Sequence, residues 1–552
     1  MTLTVTAAVD LDPALICEIA DGSGQAAAAP TAWQPAISGP ASGQASGAAV
    51  RLAPALLGEV QRRCEQGRAV LRGGEPVYGV TTGMGALAGV RLTDPQQLVH
   101  QRNLLLARAS GGPPWLAAAD VRALFAVRLR TFLSGDAGVS GALCQRLADF
   151  LNEGIVPAVP CTGAGSAGEI IPLAHAFGPL AGIGQVLGTG DEVRPAAGAL
   201  AEHGLAEFAL GPKEGIALLA GVPGATALAI RRAADARRAT AMMEAAAGLS
   251  IAAAGAPRDP YVAVCARGDD ILAGVLARLR AFIGDGGPGE GKPSGTKPSG
   301  TKPSGSGPSG SGPSAGRQAG GVQAPVSFRV AGPVLTQVLR AHGALTAATG
   351  RALAGVTDSP AFLDGRFTST AGFHGIDLAA HCDQLTAALA HAAEVSAARL
   401  HRLLDPRVTG LPAQLARTPG PDAGLVTVHK RAAGEIHALR RLATATPVGM
   451  IETSGGQEDV QSFAWEAAEK LRGALHHAGV VTACELLAGY QAMALAGRPA
   501  PPGCRGVLGW LAGLVEPIVG DRPFGADIER ILRAPWPAAG AQGRWPAGGQ
   551  GE

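Results

Sequence analysis

The sequence predicts a soluble, all-α protein built as a bundle of long helices. Apolar residues recur at helical spacing through 227–254 and 334–354, small residues led by alanine fill those runs, and aromatics make up only 4% of 552 residues. Small side chains let helices approach closely, as long packed bundles require. A chain of this length can bury a large core and is expected to form two or more domains.

Taken in order, residues 1–50 form an N-terminal segment. Its stretch from Asp21 to Gly47 is rich in Ala, Gly, Ser and Pro without periodicity and is expected to be unstructured. No basic stretch precedes an apolar run there, so no secretory signal is read and a cytoplasmic location is expected. The uncharged runs around Leu173 to Gly188 and Gly215 to Ile230 are broken by Gly, Pro, His or Gln, short of the ~20 residues of a bilayer span. No membrane partner is expected. Within 285–320, a degenerate Pro-Ser-Gly pentad from Lys292 to Gly316 predicts a flexible surface insertion. A helix over 377–402 should stop near Asp405-Pro406, because proline cannot continue the helical ladder. Further helices are expected over 426–445 and 458–488.

Charged residues are only 16% of the chain and the net charge is +2, too close to zero to suggest a nucleic-acid partner. Small-molecule chemistry is the default. Eight scattered cysteines show no CxxC pair and no zinc-like spacing, so no metal and no disulfide are expected.

Several separated segments carry the chemistry. Tyr78-Gly79-Val80-Thr81-Thr82-Gly83-Met84-Gly85 is a glycine-rich loop; Gly163 to His175 reads GAGSAGEIIPLAH; Gly215 to Gly221 reads GIALLAG; Gln323 to Arg329 reads QAPVSFR; Gly372 to Gly375 reads GFHG; and Gly455 to Asp459 reads GGQED. Together, over about 52–496, they resemble the histidine/phenylalanine ammonia-lyase family of aromatic amino acid lyases. The resemblance implies an ammonia-lyase-like long-helix bundle with an N-terminal helical active-site domain at 51–215. The bundle would span 216–500, followed by a C-terminal helical segment and tail at 501–552. It also implies a homotetramer whose active sites draw on several chains, and a small amino acid-like substrate.

By that resemblance Tyr78 is the base for the substrate's β-proton, a task that requires the usual tyrosine pKa of about 10 to be lowered. The competing reading is a loop tyrosine bonded for packing. Arg329 would grip the substrate carboxylate through its planar fork of donors, or form a structural ion pair. Phe373 would wall the pocket. Glu458 would orient the amino group or act as acid/base, with Gln457 beside it; both residues also suit a helix N-terminus. His374 and His175 read as packed supporting residues.

The departures are as informative. The family's electrophile, a methylidene-imidazolone ring, forms from Ala-Ser-Gly and needs the central hydroxyl. The aligned triad here is Ser166-Ala167-Gly168, and Ala167 has nothing to eliminate. A register shifted to Gly165-Ser166-Ala167 would require attack by the nitrogen of a residue whose Cβ crowds the ring. Ala220 stands where the family has an asparagine that supports the electrophile, and Val326 where it has a second tyrosine. The prosthetic group is therefore expected to be absent. Arg108 replaces a histidine that helps select the substrate side chain; an anionic substrate would satisfy a buried guanidinium, unless Arg108 turns to solvent or pairs internally. The expected activity is elimination or conjugate addition by a tyrosine base. A conventional ammonia-lyase with an atypical triad and a catalytically silent homologue are the alternatives.

Overall fold

A computed structural model describes residues 2–22, 49–188, 192–284, 323–497 and 499–537. The 285–320 insertion with its pentads, most of 21–47 and the tail from 538 lie outside the described residues. The all-α expectation holds. Helices form where small and apolar residues recur and proline is confined to the first turn: α1 (Asp94–Arg108), α2 (Ala118–Leu133), α3 (Ile170–Phe177), α4 (Glu214–Leu219), α5 (Pro223–Ala254), α6 (Ala331–Ala354), α7 (Ile376–Leu403), α8 (Val426–Leu442) and α9 (Ala464–Ala496). Among the described residues the strands make three two-stranded ribbons: parallel Thr2–Val5 with Ala49–Leu52, and antiparallel Gln185–Leu187 with Val193–Pro195 and Ala361–Leu363 with Arg366–Thr368.

Two compact units arise from interleaved segments. The first is Met1–Arg238, Val338–Ala390 and Ala438–His477; the second is Ala239–Gln337, His391–His437 and Ala478–Glu552. In the first, α2 is buried on most faces, and its charged residues survive because each is partnered. Asp120 binds Arg231 and Arg232 from α5, and Arg232 also reaches Glu469 on α9. In the second, fully buried Glu485 accepts from Ser250, Ser396 and Arg399.

The helix at 377–402 ends as expected, one residue beyond, before Asp405-Pro406. α9 starts at Ala464 rather than 458, because Thr453 and Glu458 exchange backbone hydrogen bonds in an isolated bridge and Phe463 takes a positive φ of 51°. One expectation is corrected: by length and composition alone, Glu214–Ala254 and Ala464–Ala496 are long and apolar enough to cross a bilayer. Of their most apolar windows, 89% and 78% are buried inside the protein, as in core helices. All eight cysteines are free.

Candidate active site

The first unit gathers most of the sequence-derived candidates at one place. Tyr78 sits on the loop after Val77, where Gly79 (φ 68°) and Gly85 (φ 57°) adopt a conformation that a side chain would disfavour. The half-buried Tyr78 hydroxyl accepts from the Gly85 N–H at 2.8 Å. Gln101 of α1 fixes this loop from below: its Nε2 donates to the Gly79 carbonyl at 3.0 Å while its Oε1 accepts from the Ile216 N–H of α4.

Opposite Gly85 lies the turn at Ser454–Gly456. That turn delivers Glu458. Its Oε2 accepts from the Thr453 hydroxyl at 3.1 Å and from the Ala167 backbone N–H at 3.2 Å, so the candidate acid/base touches the degenerate triad directly. Because α9 begins six residues later, neither Glu458 nor Gln457 caps it; Gln457 is exposed.

The triad lies in an irregular, half-buried loop just before α3. The Ser166 hydroxyl donates to the Gly168 carbonyl at 2.8 Å, and Gly168 faces the Gly221 and Phe373 carbonyls. Ala220, next to Gly221, offers the loop only a methyl group, and its carbonyl accepts from buried Arg128 at 2.5 Å. The His374 carbonyl accepts from Ser462 while its buried Nε2 has no partner among the described residues, and His175 accepts at Nε2 from the Gly111 N–H.

Three positioning carboxylates had no distinctive sequence signal. Glu466 Oε1 accepts from the Ala164 N–H, two residues before the triad. Glu169, the residue after it, caps α5 by accepting from the Gly224 and Ala225 N–H groups at 2.8 and 2.6 Å. Burial pushes the Glu169 carboxyl up to about 8 despite those two bonds. Asp358 holds the buried Lys213 ammonium at 2.7 Å, just before α4. The only hint in sequence is a charge inside an apolar run, which must find a partner once buried.

Arg108 closes α1, half-buried, with Met84 Sδ at 3.9 Å. Burial lowers its pKa, opposed by the charges of Tyr78 and Glu458, which place it in the same electrostatic neighbourhood as both. Arg329 and Val326 belong to the second unit. There Arg329 donates to Gln323 at 2.8 Å and Val326 is 62% exposed.

A helical lyase fold with a tyrosine loop, a glycine-rich triad loop and a glutamate turn is thus in place. The model of the aromatic amino acid lyase family matches residues 41–510. The chain belongs to this family, the ammonia-lyase class of carbon–nitrogen lyases. It is 35% identical over 427 residues to the histidine ammonia-lyase of Streptomyces griseus, covering 76% of this chain and 78% of that one. To the histidine ammonia-lyase of Symbiobacterium thermophilum it is 32% identical over 502 residues, covering 88% and 92%. In fold it is similar to the tyrosine aminomutase of Streptomyces globisporus, with a TM-score of 0.81 at 24% identity and 96% of each chain covered.

Proposed function

We propose that this chain is a lyase that works without the methylidene-imidazolone group, using Tyr78 as base on an amino acid-like substrate. The observation that carries the reading is the pairing of an assembled site with an incompatible triad. Glu458 touches the loop whose central residue, Ala167, has no hydroxyl and whose Ser166 hydroxyl is turned to Gly168, while the turn that carries Glu458 faces Gly85, the residue bonded to Tyr78. The residues present do not fit the group, since Ala220 also lacks a side-chain donor to support it. Histidine, the substrate in the relatives' names, is a poor candidate because its β-proton is too weak an acid for a tyrosine base alone.

Tyr78 removes the β-proton, its phenolic oxygen held in place by the Gly85 N–H. Glu458 orients the ammonium group, its carboxylate offsetting that group's positive charge until ammonia leaves. Arg329 anchors the substrate carboxylate by the role its motif has in the family. This role goes with the homotetramer implied by the family resemblance, in which several chains complete each site. A cytoplasmic enzyme acting on a specialised metabolite fits this set.

Intact-protein mass spectrometry tests the reading: the mass should equal that of the translated sequence, with no borohydride or cyanide adduct at 165–168. A deficit of lost water would instead establish the conventional ammonia-lyase with a shifted ring. Identical behaviour of wild type and Tyr78→Phe across amino acids and unsaturated acids would establish a silent homologue.

A further inference from the structure

A tyrosine base working without the family's electrophile needs another sink for the electron pair it releases at the substrate's β-carbon. Arg108 is the group placed to supply one. Other buried arginines of the first unit have oxygen partners: Arg232 has Asp120, Asp235 and Glu469, Arg122 the Ile19 and Leu151 carbonyls, and Arg128 the Ala220 carbonyl, although Arg232 and Arg128 each keep a buried Nε unpaired. Arg108 is half-buried, yet among the described residues it has no carboxylate and no carbonyl; its polar contact is the Met84 thioether at 3.9 Å. Its guanidinium nitrogens are not among the buried unpaired atoms of the described residues, so the fork stays accessible and free to take its acceptor from a ligand.

Its location is as specific as its lack of a partner. Met84 adjoins Gly85, whose N–H meets the Tyr78 hydroxyl, and Gly85 faces the turn that carries Glu458. Two turns earlier on α1, His100 leaves its buried Nε2 without a partner, and burial with the Arg108 charge pushes its imidazole below the usual range. A neutral imidazole there adds a second hydrogen-bonding group without a second charge.

We propose that Arg108 binds a carboxylate carried directly on the substrate's β-carbon, so that the substrate is a 3-carboxylated, aspartate-type amino acid. This rests on the lyase reading above and names its substrate class. A carboxylate at that position accepts the released electron pair on its oxygens, where the fork of Arg108 can hold the charge; a neutral hydrocarbon ring offers that guanidinium no oxygen acceptor. Tyr78 phenolate takes the β-proton and becomes the phenol. The C–H pair moves into the side-chain carboxylate, giving a doubly charged aci-carboxylate held by the fork of Arg108. The pair then returns to form the Cα–Cβ double bond as the Cα–N bond breaks and the ammonium group leaves as ammonia, which takes the phenol's proton. The sum is amino dicarboxylate to unsaturated dicarboxylate plus ammonium, and the reverse is addition of ammonia.

The test follows β-hydrogen exchange in D2O by proton NMR with the purified full chain, comparing L-aspartate with L-phenylalanine and L-histidine. Succinate binding is measured by calorimetry in parallel. Exchange is expected on aspartate alone and should fall ~100-fold in Arg108→Ala, with partial recovery in Arg108→Lys. Succinate should bind wild type and Tyr78→Phe alike and Arg108→Ala at least ~10-fold more weakly. Exchange on phenylalanine or histidine but not aspartate, or succinate binding indifferent to Arg108→Ala, overturns the substrate class and leaves the lyase reading standing. No exchange on any amino acid, with Tyr78→Phe matching wild type, sinks the lyase reading itself.

Discussion

Tyr78 offers its phenolic oxygen to one backbone N–H and to nothing else among the described residues, which leaves it open to a substrate proton. Tyr78→Phe removes that acceptor with almost no change in volume. Turnover should fall ~10²–10⁴-fold while the far-ultraviolet circular dichroism stays unchanged. Glu458 is expected to behave differently, because it holds both Thr453 and the Ala167 amide. Glu458→Gln keeps the Thr453 contact and should lower turnover more than it lowers substrate affinity; an equal loss in both would make it a purely structural residue. These roles were legible in sequence only as motif positions. The contact between Glu458 and Ala167 joins residues 291 positions apart, and no local pattern encodes it.

The start of α5 depends on Glu169, whose folded carboxyl is raised from its ordinary 4.5 to about 8. The folded chain therefore holds a proton there that the unfolded chain has already released. The corresponding stability is full below about pH 4.5 and is lost as pH rises through about 8. Unfolding free energy measured with urea should drop by a few kcal/mol between about pH 5 and pH 9. Glu169→Gln should flatten that slope, and an unchanged slope would place the proton elsewhere. α4 and α1 meet with no spare room: a Cβ on Gly215 would lie 2.2 Å from the Gln101 carbonyl oxygen. Gly215→Ala should cost ~1–3 kcal/mol and disturb the Tyr78 loop, since Gln101 holds Gly79. Periodicity located α5, α6 and α7 well. It misplaced the start of α9 by six residues, because the bridge between Thr453 and Glu458 outcompetes helical bonding across 458–463.

For the whole molecule, the second unit should depend on the Glu485 network. Glu485→Ala leaves Arg399 buried without its carboxylate and should destabilise by ~3–5 kcal/mol, read from denaturant unfolding. Sedimentation equilibrium should show four chains if the sites are shared between copies; a stable, active monomer would remove Arg329 from the proposed site. By itself the sequence determined the helical class and the course of α5, α6 and α7, because side-chain periodicity, small residues and proline act within a few positions along the chain. It also determined the missing hydroxyl at Ala167, which no folding can restore. Only the tertiary structure decided that Glu458 lies on the triad, that Arg108 has no carboxylate or carbonyl partner among the described residues, and that burial raises the Glu169 carboxyl. Each of these depends on what distant segments bring within a few ångströms, where burial and unpaired charge, rather than local propensity, set the energy.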